Sequence, residues 1–322
     1  MPIPGNAYQQ TFYGPRTTDH GPRTTDHELL SADSYKEDSM RFALVLGGGG
    51  ITGIGWETGL LHGLFERGLD LTRAAVIVGT SAGSVVGAQL ATVGDTAALY
   101  ARQLIAPDPT TERPAGLDLR EFARVLGEQA LPAGPIPQEA RARLGQAALA
   151  ATTAPEEERL TTFRARLPLH EWPMRALHIT AVNAEDGRFV VWDRAAGVPL
   201  IAAVASSCAV PLVYPPTTIG ARRYIDGGVR SGTNADLAQG YPLAIILAPM
   251  AGIVAGRGAL NAEIAALQTN GSRVVALWPD AAALAALGPN PLDPARRVAA
   301  AEAGRAQAAS AAAALVDVGL GD

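Results

Sequence analysis

The chain is 322 residues long, 48% hydrophobic and 18% charged, which is enough apolar mass for one large core or two smaller ones. A formal net charge of -5 gives no electrostatic basis for nucleic-acid binding, and the single cysteine, Cys208, excludes an internal disulfide or a cysteine-built metal site. The N-terminus has no basic patch followed by an apolar stretch. The apolar run Tyr241 to Ala255 is broken by Pro242, Pro249 and Gly252 and is too short to span a membrane, so a cytoplasmic protein with at most peripheral membrane contact is expected.

Residues 1–38 are polar and rich in Gly, Pro, Thr and Asp, and they repeat one heptapeptide, Gly14 to His20 and again Gly21 to His27. Too little apolar surface is present to offset the entropy of ordering them, so they read as a disordered tail ahead of one folded unit, 39–322. Phe42 to Leu46 is a continuous apolar run typical of a buried parallel strand, and it ends in Gly47-Gly48-Gly49-Gly50. Apolar positions at Leu60, Leu61, Leu64 and Phe65 predict a helix over Ile54 to Arg67, closed by Gly68. Ala74 to Val78 is a second strand, and Gly79 to Ser84 turns into a helix of small residues ending near Thr92. This strand–helix–strand–helix order predicts a parallel sheet with helices on both faces.

Between about 105 and 170, Pro107, Pro109, Pro114, Pro132, Pro135 and Pro137 cut the chain into short segments, with helical stretches at Leu119 to Glu128 and Gln138 to Ala151. The segment reads as a helical insertion over one edge of the sheet, placed to act as a lid. Leu177 to Val182 and Arg188 to Trp192 form a hairpin around Glu185-Asp186-Gly187. Pro242 to Leu247 and Arg273 to Trp278 are further buried strands, and Pro294 to Val318 is an alanine-rich terminal helix.

Chemistry concentrates at Gly79-Thr80-Ser81-Ala82-Gly83. Small residues two positions either side of a serine suit a tight strand-to-helix turn that projects the hydroxyl and aims the helix N-terminus at a developing oxyanion. All five histidines lie at or before His178, so no histidine follows a later acid as the usual triad order requires. Asp226, in Tyr224-Ile225-Asp226-Gly227-Gly228, emerges at a second tight turn and can serve as base in its place, because a dry pocket raises a carboxylate's proton affinity. Gly48, Gly50 and Gly53 also fit the spacing of a dinucleotide loop. That reading lacks its ribose-binding acid at the end of the second strand, where Gly79-Thr80-Ser81 stands instead, and an oxyanion hole needs the same bare amides. His62, His170 and His178 read as packing or loop residues, Ser206 and Ser207 as shapers of the site's floor, and Cys208 as a small buried residue.

The glycine run, Gly79-x-Ser81-x-Gly83, Ala205-Ser206-x-x-Ala209-x-Pro211 with Pro215-Pro216, and Asp226-Gly227-Gly228 occur in the order that resembles the patatin-like phospholipases, over about residues 42–318. The resemblance implies a three-layer α/β/α sandwich with a mainly parallel sheet, and a Ser-Asp dyad that hydrolyses acyl esters of lipids without metal or cofactor. It implies Ser81 as nucleophile, Asp226 as proton acceptor and the amides of Gly48, Gly49 and Gly50 as oxyanion hole, with Gly53, Gly79, Gly83, Gly227 and Gly228 as motif glycines. The expected partner is a lipid or other acyl ester. One departure stands out: many relatives carry a basic residue soon after the glycine run, where this chain has Ile51 and Thr52. Arg230 could supply charge there, although a solvated surface role is the plainer reading. The rival functions are a lipid-binding or regulatory protein of the same fold with little hydrolysis, and acyl transfer from the same acyl-enzyme.

Overall fold

The computed structural model describes residues 41–106, 115–116, 134–252 and 258–320. The proposed tail and the helical stretch expected at Leu119 to Glu128 lie outside the described residues. Strands β1 (Phe42–Leu46), β2 (Val76–Gly79), β3 (Ala176–Asn183), β4 (Phe189–Trp192), β5 (Thr217–Ile219), β6 (Arg222–Asp226), β7 (Leu243–Leu247) and β8 (Arg273–Leu277) form one sheet. Its order is β5-β6-β3-β2-β1-β7-β8, with β4 paired to β3. The pairs β1/β2, β1/β7, β2/β3 and β7/β8 are parallel; β3/β4, β3/β6 and β5/β6 are antiparallel.

Both faces of the parallel part are covered, which is why its strands read as unbroken apolar runs. Phe42, Leu44, Leu46 and Ile77 point to a layer holding α1 (Gly50–Phe65), α2 (Ala82–Val93) and α9 (Arg297–Val316). Their neighbours Ala43, Val45, Val76 and Val78 point to the other face, against Leu260 and Leu267 of α7 (Gly258–Thr269). This is the expected three-layer architecture. Fully burying one such Leu or Ile contributes about 1.5–3 kcal/mol, so the alternation fixes strand register firmly.

The remaining helices are α3 (Thr96–Gln103), α4 (Gln138–Ala150), α5 (Glu156–Arg166), α6 (Leu200–Ser207) and α8 (Ala281–Leu287). The described part of the 105–170 insertion is helical, as its sequence predicts, and α4 is tied to the β3–β4 turn by Arg141 Nε donating to the Gly187 carbonyl at 2.7 Å. Helix α1 starts four residues earlier than its periodicity suggests, at the last glycine of the run, and is buried along nearly its whole length between the sheet and α9. Among the described residues, no helix is long and apolar enough to cross a membrane.

One feature of register positions the site. β3 meets the end of β2 at Ile179↔Gly79 and the end of β6 at Ala181↔Asp226, while β4 pairs with Ile179 through Val182. A backbone has two hydrogen-bonding edges, so β4 occupies one and β2 and β6 share the other, running toward each other. Their C-terminal ends therefore converge across Thr180.

Candidate active site

Ser81 sits between β2 and α2 with φ 52° and ψ -114°, a conformation that costs a non-glycine residue on the order of 1–3 kcal/mol. Three hydrogen bonds with side chains hold it there, beside the Ser84 amide, which donates to its carbonyl at 2.9 Å. Its amide donates to Ser207 Oγ at 2.9 Å, and its carbonyl accepts from Ser84 Oγ at 2.7 Å and Cys208 Sγ at 3.2 Å. Burial, with the nearby Asp226 charge, pushes the Cys208 thiol up to about 12, so it remains a donor. A Cβ on Gly83 would run into the Leu46 carbonyl, and one on Gly79 would lie 2.6 Å from the Gly83 carbonyl. The elbow needs small residues because α2 starts hard against the end of β1.

Asp226 ends β6 and is 5% exposed, Ser81 8%. Its amide donates to the Ala209 carbonyl at 3.0 Å and its Oδ1 accepts from the Gly228 amide at 2.7 Å. Burial raises the carboxyl pKa from 3.8 to about 7, while hydrogen bonds from the Ser81 hydroxyl and the Gly228 amide pull it back. Gly227 is pressed against Thr180, where a Cβ would overlap the threonine hydroxyl. The structure thus brings together the two residues singled out in sequence, 145 positions apart.

The glycine run differs from expectation at one position. The Gly48 amide donates to the Gly232 carbonyl at 2.7 Å, because the loop after the Asp-Gly-Gly turn closes onto the run, so it does not point free into the site. Gly49 caps α1 and Gly50 adopts φ 61°, where a Cβ would strike the Pro291 carbonyl. Among the described residues, the amides of Gly49, Gly50 and Ile51, and of Ala82 at the start of α2, have no protein acceptor. Gly53 packs against Pro249, and a Cβ there would lie 3.6 Å from that of Ala82.

The patatin-like phospholipase family model matches residues 44–238, a span that includes the glycine run, the elbow and the aspartate turn. The chain belongs to that family. Membership supports lipid hydrolase activity on a lipid substrate. No curated protein matches the chain. Among solved structures, VipD from Legionella pneumophila is similar at 13% identity and a TM-score of 0.43, over 85% of this chain and 67% of that one. The type III effector protein ExoU is similar at 19% identity and a TM-score of 0.38, over 86% of this chain and 53% of its own length.

In this patatin-like chain the side chains outside the elbow sort clearly. Arg230 is not a solvated cation. It forms a double ion pair with Asp236, at 2.6 and 2.9 Å, and lies over the Phe189 ring at 4.3 Å. Ile51 and Thr52 are buried. His62 stacks on Tyr100, His170 bonds the Arg164 carbonyl, and His178 lies half-buried in β3 with its pKa lowered by burial. Ser206 accepts from Trp192 Nε1 at 3.0 Å, leaving the elbow contact to Ser207. A cavity of about 300 Å³ lies beside the elbow, lined by Ile51, Ile54, Val85, Gln89, Arg102 and Arg166 among others. It reaches α2 one turn beyond Ser81 and not Ser81 itself.

Proposed function

We propose that the chain is a serine acyl hydrolase that cleaves carboxylic esters of lipids with a Ser81–Asp226 dyad. The observation that carries this reading is the placement of the strained Ser81 beside a buried carboxylate, Asp226, whose pKa burial raises to about 7 and interaction with the Ser81 hydroxyl pulls back. A carboxylate tuned near neutrality is strong enough to draw a proton from serine as the hydroxyl adds to an ester carbonyl. The tetrahedral oxyanion is held by the amides of Gly49 and Gly50 at the N-terminus of α1, with Ala82 available from α2. Gly48 has a structural part in this scheme. Collapse breaks the ester C–O bond, and the departing alkoxide takes the proton held by Asp226. Water then adds to the acyl-enzyme with Asp226 again as base, and the carboxylic acid leaves as Ser81 recovers its proton.

Hydrolysis of short and long acyl esters and of a phospholipid, by the native chain, Ser81→Ala and Asp226→Asn, tests the scheme. Both substitutions are expected to lower kcat by at least about 10³-fold with the fold intact. A folded Ser81→Ala variant as active as the native chain would overturn it. Should the native chain hydrolyse nothing above the Ser81→Ala background, the lipid-binding reading takes its place.

A further inference from the structure

The loop from Arg230 to Ala235 is not part of the dyad, yet it bonds the chain neighbour of each member, Thr80 and Gly227, and the glycine run at Gly48. Asn234 is fully buried, with φ 51°. Its Nδ2, with two hydrogens to share, lies within hydrogen-bonding distance of Thr80 Oγ1 at 3.0 Å, the Ser231 carbonyl at 2.9 Å, the Gly227 carbonyl at 3.2 Å and Thr180 Oγ1 at 3.4 Å. Thr80 immediately precedes Ser81, Gly227 immediately follows Asp226, and Thr180 is the residue of β3 across which the two chain ends converge. The two threonine hydroxyls also bond each other at 2.9 Å.

The amide has a defined orientation. Arg230 Nη1 donates to Asn234 Oδ1 at 2.8 Å, and the Asp236 ion pair fixes that guanidinium in turn. A flipped amide would set its NH2 against the cation, so the donor face is held toward the elbow and the aspartate turn. The rest of the loop is anchored as well. Gly232 accepts from the Gly48 amide at 2.7 Å, and Thr233 Oγ1 and the Ala235 amide donate to Glu263 Oε2 at 2.5 and 3.2 Å.

We infer that Asn234 is a positioning residue for the proposed dyad, an amide strut that sets the spacing of the serine elbow and the aspartate turn by donating to both at once. The inference rests on the Ser81–Asp226 reading. Asn234→Asp tests it: the substitution keeps side-chain size and the acceptor facing Arg230, but turns the donor into an acceptor aimed at two carbonyls. A space-filling role would tolerate that change.

The readouts are kcat and KM on a soluble short-chain ester, and the rate at which an alkyl fluorophosphonate labels Ser81, with circular dichroism and thermal unfolding as controls. Expected for Asn234→Asp is a fall of at least about tenfold in kcat and in labelling rate, with KM within about threefold of native, since a misplaced pair loses chemistry before binding. Thr80→Val, which at near-constant volume removes the acceptor at the elbow end of the strut together with the hydroxyl's bonds to Thr180 Oγ1 and the Thr233 carbonyl, is expected to act in the same direction and by less. A folded Asn234→Asp protein with native kcat, or one whose loss lies wholly in KM, overturns the inference. If that variant does not fold, Thr80→Val decides, and a kcat within about twofold of native overturns it. Native protein labelled at Ser81 beside an unimpaired Asn234→Asp sinks the strut alone, whereas native protein that is never labelled sinks the dyad and the strut together.

Discussion

At the scale of single residues, the site couples reactivity to instability. Asp226 ordinarily titrates at 3.8 and in the fold at about 7, so the native state binds a proton that the unfolded chain has already lost. Between those values stability falls as pH rises; the stabilising state is the neutral acid, complete below the unfolded value and lost through about pH 7. The rise corresponds to on the order of 4 kcal/mol. Glu57 and Glu263, also buried with raised pKa values, add to the same trend. The difference between native and Asp226→Asn isolates one carboxylate: the variant's gain in Tm over native should be larger at pH 8.5 than at pH 5, and equal differences at both would refute the assignment. The proposed role of Asp226 as base requires the same ionisation, so native kcat/KM should drop about tenfold per pH unit below about pH 7. Ser81 and Asp226 could be read from sequence because each lies in a short motif that a turn requires. Ser207, Cys208 and Asn234 could not be given their roles. Each acts on the elbow across more than 120 residues of chain, and nothing in local periodicity records such a contact.

At the scale of elements, the fit of α9 against α1 is the clearest dependency. Gly55, Gly59 and Gly63 recur every four residues on α1 and lie under the carbonyls of Arg297, Ala301 and Arg305, while Gly304 of α9 lies under the Trp56 carbonyl. Backbones this close leave no room for a methyl group on either side. Gly304→Ala should therefore push the helices apart at a cost of about 1–3 kcal/mol, seen as a clear loss of Tm. Gly134→Ala, where a Cβ would meet nothing within 4 Å, should leave Tm nearly unchanged. Equal Tm values for the two variants would show that the seam yields. Helix periodicity on one side of the chain made α1 and α9 legible, but their contact was hidden because glycine carries no apolar signal. For the same reason periodicity places the start of α1 too late: glycines carry no apolar signal, and the helix begins at Gly50 behind the cap at Gly49. Helix α6, which supplies Ser207, leaves no periodic signal because Leu200 to Ser207 is a short, mostly apolar run without a polar face.

At the scale of the whole molecule, the alternation of strand and helix made the parallel sheet legible, and composition alone could not reveal its order. That β2 and β6 share one edge of β3 follows from register, and register is set by which apolar face is buried once all layers are present. The sheet also bears on the N-terminal segment. β1 begins at Phe42, with β2 on one edge and β7 on the other. Residues 1–38 carry little apolar surface to bury. A chain beginning at Ser39 is therefore expected to unfold within a few degrees of the full-length protein and to hydrolyse a soluble short-chain ester at the same kcat. A lower Tm would assign the segment a place in the fold. An unchanged Tm with lower turnover on vesicles alone would assign it to the lipid surface, where its polar repeat would act on the substrate's assembly and leave the dyad untouched.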